Sequence, residues 1–425
     1  MKFFQLMAKI NYSYLKIVKT VISLFLFTVL LVACSVSRNS DINRGLLTSE
    51  IAKVYGDSIF NGFAVSIVDQ EDILYQQGFG FADASINKKY TVYTIQNVAS
   101  VSKTIVGIAL LKAQELGKLN LDEPINKYLP FKVFNPKFPN ENITIRQLAT
   151  HTSSITDNDF YLSKNYYLKP DQDIKNLKLN FEDEQFFNPS DSIISLNSFL
   201  ENILSEKGQW NKNSFSTYKP GTTYDYSNVG TALAAYIVEQ STGVSFPDFT
   251  KKYIFEPLKM KISGWKFKDI EFSDFSRLYE DKNTPLPHYE MITYPDGGLI
   301  TSVNDLSKFL RELIRGYNGN GKILSKDSYN EYFKPNLSAE NFIERNERNP
   351  FSESYNVGIF IGYGYTGYIG HTGGDPGVLS MMFFNPKTNI GRIMIYNTTF
   401  SDKKGNDAFY TIWNLLEQFE GKIQN

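Results

Sequence analysis

Strand-forming runs stand at both ends of this 425-residue chain with helical stretches between them, and that order constrains the fold most. Gly62 to Val68 and Ile73 to Phe79 are β-rich runs around Asp69-Gln70-Glu71-Asp72, a hairpin signal. In the last third, Val357 to Ile361, Tyr368 to Thr372, Val378 to Phe384 and Gly391 to Tyr396 read as strands, the last two linked by the turn Asn385-Pro386-Lys387-Thr388-Asn389. Strands this far apart in sequence imply one sheet built from both termini, and so a mixed α/β fold. The helix from Ser100 to Leu116 is apolar nearly all round, which suits the middle of a domain, and Gly117 is the expected stop. Leu196 to Leu204, Val229 to Gln240 and a segment from Ser302 to Gly316 carry helical spacing, as does Ala408 to Phe419. The expected division is an α/β part over 56–117 and 290–425, with a helical insertion over 118–289. The stretch between His151 and Asp191 has little periodicity and reads as an insertion near the cleft, and the insertion at 156–215 with Tyr363, Tyr365 and Tyr368 is expected to shape the pocket.

The N-terminus has the composition of an export signal. Lys2, Lys9, Lys16 and Lys19 precede an apolar run from Val21 to Val32, which is short for a membrane span. Leu31-Val32-Ala33-Cys34 resembles the lipobox of bacterial lipoproteins, so a signal peptide over 1–33 and lipid attachment at Cys34 are expected, with a polar tether over 34–55. The protein would then be exported and anchored to a cell-envelope membrane, facing the periplasm or the exterior. Cys34 is the only cysteine, which excludes a disulfide within the chain. Residues 1–33 hold four lysines and no acid, so their removal takes the formal charge from −1 to −5. No basic stripe is present, and no nucleic-acid partner is expected.

Three short motifs in fixed order point to a chemistry: Ser100-Val101-Ser102-Lys103, Tyr226-Ser227-Asn228 and His371-Thr372-Gly373. The Ser-x-x-Lys spacing recurs at Ser13, Ser85, Ser216, Ser263 and Ser401, but only Ser100 opens a long apolar helix directly after a turn. There Lys103, three residues on, shares a helix face with Ser100. The helix N-terminus favours a developing oxyanion, and a buried lysine loses part of its preference for the charged form. Tyr226-Ser227-Asn228 is the one Tyr-x-Asn among 27 tyrosines. A neighbouring ammonium would lower the phenol's pKa, so Tyr226 could carry the Ser100 proton to a leaving group. Asn228 would donate to the substrate and hold Lys103. His371, Thr372 and Gly373 would sit on a strand beside the cleft, where Gly373 and Gly374 let a substrate backbone approach. The amides of Ser100 and Gly374 are the candidate oxyanion hole. His151 is expected to pack or hydrogen-bond beneath the cleft, and His288 to be structural. Three scattered histidines without a Cys or carboxylate cluster make a metal site unexpected, and no cofactor is implied.

These residues resemble the β-lactamase-type serine hydrolases, in particular the class C branch with its D-Ala peptidases and esterases. Asn97-Val98-Ala99-Ser100-Val101-Ser102-Lys103, the run from Ile143 to Ser153 and Gly297-Gly298-Leu299-Ile300-Thr301-Ser302 look like recurring blocks of that family, so the resemblance runs from about residue 56 onward. It implies an antiparallel sheet flanked by helices, a helical insertion and an active site between them. Ser100 would be the nucleophile, Lys103 and Tyr226 the proton-handling pair, and His371, Thr372 and Gly374 substrate contacts. The substrate would be a small molecule or a peptide, including peptidoglycan-derived ones. Two departures stand out. Ser154 replaces the glycine of a His-Thr-Ser-Gly block, and His371 replaces the lysine of true class C β-lactamases. A histidine holds a substrate carboxylate weakly, which favours a peptidase or esterase over an efficient β-lactamase. The contrasting expectation is a catalytically silent lipoprotein that keeps the cleft to hold peptidoglycan fragments.

Overall fold

The computed structural model describes residues 39–56, 60–175, 177–181, 184–342, 358–363, 367–400 and 402–424. The expected signal segment and Cys34 lie outside them. Seven strands form the main sheet: β1 (Gly62–Val68), β2 (Ile73–Asp83), β3 (Lys88–Lys89), β4 (Gly362–Tyr363), β5 (Ile369–Asp375), β6 (Val378–Asn385) and β7 (Ile390–Tyr396). Their order is β4-β5-β6-β7-β1-β2-β3, and every neighbouring pair is antiparallel. The first strand thus pairs with the last, Phe63 opposite Tyr396 and Val65 opposite Met394. Both central strands are buried along their whole length, as their unbroken apolar sequences require. The β1–β2 turn is closed by Asp69, whose Oδ1 accepts from the amides of Glu71 and Asp72, each at 2.7 Å.

Alternation along β1 divides the core in two. Phe63, Val65 and Ile67 face one layer, where α1 (residues 39–56) and α5 (Lys403–Gln424) bring Leu47, Ile51, Ile412 and Leu416. Ala64 and Val68 face the other layer, filled by α2 (Ser102–Glu115), α3 (Asn228–Thr242) and α4 (Val303–Tyr317). Residues 34–55 were expected to form a tether, and 39–55 of these are described. They are helical instead, because Leu47 and Ile51, one turn apart, are both fully buried against the sheet, and Ser40 Oγ donates to Ile423 O at 2.7 Å.

Local chemistry explains the helix limits. Ser302 caps α4 by accepting from Asp305 N, Ser227 caps α3 by accepting from Gly230 N, and Gly243 at φ +71° ends α3. The expected helix from Ser100 starts two residues late, since Ala99–Val101 form a 3₁₀ turn before α2. The strand expected at 357–361 does not form over its described residues 358–361. Phe360 there sits at φ +53°, in the left-handed region, and sheet pairing begins only at Gly362. Within 118–289, Tyr166–Leu168 pairs antiparallel with Tyr289–Met291 and braces the insertion beside the end of β5. Among the described residues no helix is long and apolar enough to cross a membrane.

Candidate active site

The Ala99–Val101 turn delivers Ser100 to a cavity of about 240 Å3 lined by Ser100, Tyr224, Tyr226, His371, Thr372, Gly373 and Gly374. The turn is held tightly. Ala99 takes a left-handed φ of +46°, uncommon for a residue with a Cβ. Ser102 Oγ donates to Ala99 O at 2.6 Å and accepts from Leu299 N at 3.0 Å. Gly373 packs directly on the turn, since a Cβ there would lie 2.5 Å from Val98 O and 3.0 Å from Ala99 Cβ. This glycine lets β5 lie against the nucleophile turn while it also lines the cavity. Gly374 is open, with Leu379 Cδ2 at 3.9 Å the nearest atom to an added Cβ.

Lys103 is fully buried. Its Nζ lies 3.0 Å from Ser100 Oγ, 2.6 Å from Asn228 Oδ1 and 2.7 Å from Asp296 O. Burial lowers its pKa, against the opposing pull of Asp296, Asp157 and Asp375. The Tyr226 ring lies 5.0 Å from Nζ, and its hydroxyl hydrogen-bonds Ser100. The ammonium was expected to lower the phenol's pKa. Burial, reinforced by Asp296, Asp157 and Asp375, instead raises it well above its ordinary value, so Tyr226 stays protonated.

His371 is buried, and burial with the nearby Lys103 holds its pKa at about 3. Its Nδ1 lies 2.5 Å from Thr372 O, which can only accept, so Nδ1 carries the proton of a neutral ring. Burial thus disfavours the partial cation expected here. His151 lies beneath the cleft, as expected: its Nδ1 accepts from Ser227 N at 3.1 Å, and its ring centroid is 4.5 Å from that of Tyr226. His288 is caged by Phe267, Phe272 and Phe275. Ser154 adopts φ +70°, so the turn keeps the left-handed backbone of a glycine despite the substitution. Its Oγ lies 3.2 Å from Ser216 Oγ and accepts from Asn135 Nδ2 at 3.3 Å. Tyr368 is not at the site. It faces the outer layer, where its hydroxyl donates to Glu417 and Arg392 packs on its ring. Tyr365 and the side chain of Tyr363 lie outside the described residues.

Three acidic residues near Lys103 escaped the sequence reading. Asp157 Oδ1 accepts from Val229 N and its Oδ2 from both Asn228 N and Asn228 Nδ2, capping α3 and orienting the amide that holds Lys103. Asp296 Oδ2 accepts from Tyr161 Oη at 3.2 Å, and burial raises this carboxyl to about 8. Asp375 Oδ1 accepts from Tyr166 Oη at 2.7 Å, and burial raises it to about 6. None stands in a motif that marks its role. Only the turn signal Pro295-Asp296-Gly297 could have drawn notice. A larger cavity, about 550 Å3, lies over residues 247–269 and contains none of the motif residues.

A family profile described as Beta-lactamase matches residues 50–417. The chain belongs to the Beta-lactamase family. This is a serine hydrolase family with penicillin-binding-protein relatives, and the mixed fold with its antiparallel sheet is the family's. PbpX of Bacillus subtilis (strain 168) is 26% identical over 383 residues, covering 89% of this chain and 80% of that protein. Protein flp of Staphylococcus aureus (strain MW2) is 24% identical over 348 residues, which are 79% of this chain but 59% of that longer protein. The D-alanine carboxypeptidase AmpC from Burkholderia cenocepacia superposes with a TM-score of 0.62 at 19% identity, over 88% of this chain and 99% of that one. The D-amino acid amidase from Ochrobactrum anthropi SV3, complexed with D-phenylalanine, gives 0.63 at 20% identity, over 92% and 100%. At these identities the two structures attest a shared fold.

Proposed function

We propose that this Beta-lactamase family member is a cell-envelope hydrolase that forms an acyl-enzyme on Ser100. The carrying observation is the buried Lys103 amine 3.0 Å from Ser100 Oγ. In the neutral amine, two N–H groups donate to Asn228 Oδ1 and Asp296 O, neither of which can donate back at that atom. The lone pair is left facing the Ser100 hydroxyl, which then donates to Lys103. Lys103 is thus the base for acylation. Ser100 Oγ attacks the acyl carbon, its proton passes to Lys103, and the amides of Ser100 and Gly374 receive the oxyanion. Tyr226, held protonated, gives its proton to the leaving group and regains one from Lys103. Thr372 and the neutral His371 line the substrate path, and Asn228 holds Lys103 in place.

The substrate is an amide or ester: a D-amino acid peptide, a peptidoglycan fragment, a β-lactam or a simple ester. With burial disfavouring a charged His371, no lysine or arginine among the described residues lining the cavity offers a cation for a β-lactam carboxylate, which supports a peptidase or esterase over an efficient β-lactamase. The names of the carboxypeptidase and amidase relatives agree with this. The silent-lipoprotein alternative is disfavoured because Ser100, Lys103 and Tyr226 are all present and in contact. Incubation with a fluorophosphonate or a fluorescent penicillin should give an adduct that maps to Ser100 and is absent in Ser100→Ala. Folded protein without such an adduct would refute the reading. The membrane is reached through a lipid on Cys34. Cells expressing Cys34→Ala should release the protein from the membrane fraction.

A further inference from the structure

Lys103 can act as a base only if its lone pair reaches Ser100, and that depends on which end of the Asn228 amide it meets. Asn228 Oδ1 lies 2.6 Å from Lys103 Nζ. Turned over, the same side chain would present its NH2 group there, and that group would donate to the lone pair of the neutral amine in place of the Ser100 hydroxyl. The amine would then have only N–H groups to offer Ser100 and Asp296 O, and no proton could pass to it from the serine.

Asp157 decides between the two senses. Its Oδ2 accepts from Asn228 Nδ2 at 2.8 Å and from Asn228 N at 3.0 Å. Its Oδ1 accepts from Val229 N at 3.0 Å and from Ser227 Oγ at 3.2 Å. All four partners donate, which suits an ionised carboxylate. An inverted Asn228 would set its Oδ1 against that carboxylate, acceptor against acceptor. The chain path here has supports of its own: Ser227 N donates to His151 Nδ1 at 3.1 Å, and Ser227 Oγ accepts from Gly230 N at 2.9 Å. Loss of the Asp157 side chain would therefore free the amide while leaving those supports in place.

We propose that Asp157 is a positioning residue for acylation: it fixes the sense of the Asn228 amide and so keeps the Lys103 lone pair directed at Ser100. The proposal deepens the Ser100 reading and rests on it. A purely electrostatic role would have the opposite sign. The Asp157 charge raises the pKa of Lys103, so its loss would leave more free amine and speed labelling near neutral pH. The other groups around the amine, Asp296, Asp375, Tyr226, His151 and His371, are the same in either case.

Fluorophosphonate labelling of the full chain, followed against probe concentration from about pH 6 to about pH 10, separates the two. In Asp157→Ala the maximal rate should fall by about tenfold to a hundredfold at every pH, with the half-saturating probe concentration held within about twofold. Asp157→Ala/Asn228→Asp should regain most of the rate, because a carboxylate at 228 can only accept from Lys103. Its profile should move to higher pH, since the new charge stands beside the amine. A maximal rate in Asp157→Ala equal to or above the parent's, or a loss that the second substitution does not repair, would overturn the proposal. A parent protein that forms no adduct refutes the Ser100 reading, and the role of Asp157 falls with it; a parent that labels while Asp157→Ala keeps pace refutes that role alone. Should Asp157→Ala fail to fold, the double variant decides: labelling with the raised profile supports the proposal, and its absence overturns it.

Discussion

At the residue scale the proposed chemistry turns on a single amine. Lys103 has three partners, and two of them, an amide oxygen and a backbone carbonyl, can only accept. These acceptors orient its N–H groups, and burial lowers its pKa against the pull of Asp296, Asp157 and Asp375. Lys103→Ala should lower the acylation rate by about 10²–10⁴-fold, as expected for removal of a general base, and fluorophosphonate labelling kinetics would read it. A second residue titrates without taking part in the chemistry. His288 is packed among aromatic rings, and burial lowers its pKa from 6.5 to about 3. The unfolded chain then binds a proton below pH 6.5 that the folded chain refuses, so stability is full above that pH and is lost as pH falls towards 3. Between pH 8 and pH 5 this loss amounts to about 2 kcal/mol. His288→Phe should remove that component, so its urea midpoint should fall less than that of the unchanged protein between the two pH values.

At the scale of elements, the site is a contact between a turn and a strand. The Ala99–Val101 turn and β5 touch through Gly373, while Ser380 Oγ, from β6, donates to Val98 O at 2.7 Å. Gly373→Ala would drive a methyl group into backbone, so β5 must move away from Ser100. We expect a loss of about 1–3 kcal/mol in stability and a larger proportional fall in labelling rate. Gly374→Ala has room for its methyl group and should leave the unfolding midpoint where it is. The pair of variants separates crowding at one position from the loss of glycine flexibility at either. The sequence reading treated the two glycines alike because both looked open, and nothing in His-Thr-Gly-Gly says which one meets the turn.

The whole molecule is closed by its ends. β1 and β7 pair at the middle of the sheet, and α1 lies with α5 across the outer face, so early and late segments share one core. Ile51, fully buried in that layer, tests the point. Ile51→Ala should cost about 2–5 kcal/mol in a urea titration if α1 is part of the folded unit, and almost nothing if residues 34–55 only tether it. The polar surface of 39–56 concealed this, because an outer helix buries only one stripe, and Leu47 and Ile51 are too few to give a strong period.

Local chemistry determined much in advance. The five long sheet strands, the helices beginning near Ser227 and Ser302, the stop at Gly117 and the spacing of Ser100 and Lys103 rest on patterns within a few residues, which sequence displays directly, whereas the strand expected at 357–361 did not form over its described residues. Tertiary packing decided the rest. The pKa directions of Tyr226 and His371, the acids Asp157, Asp296 and Asp375, and the separate duties of Gly373 and Gly374 depend on neighbours more than a hundred residues away in most cases. Burial there outweighs the ammonium that a local reading would have given priority, because desolvation penalises every charge in the pocket, while a pairwise attraction offsets that penalty only for the two groups that share it.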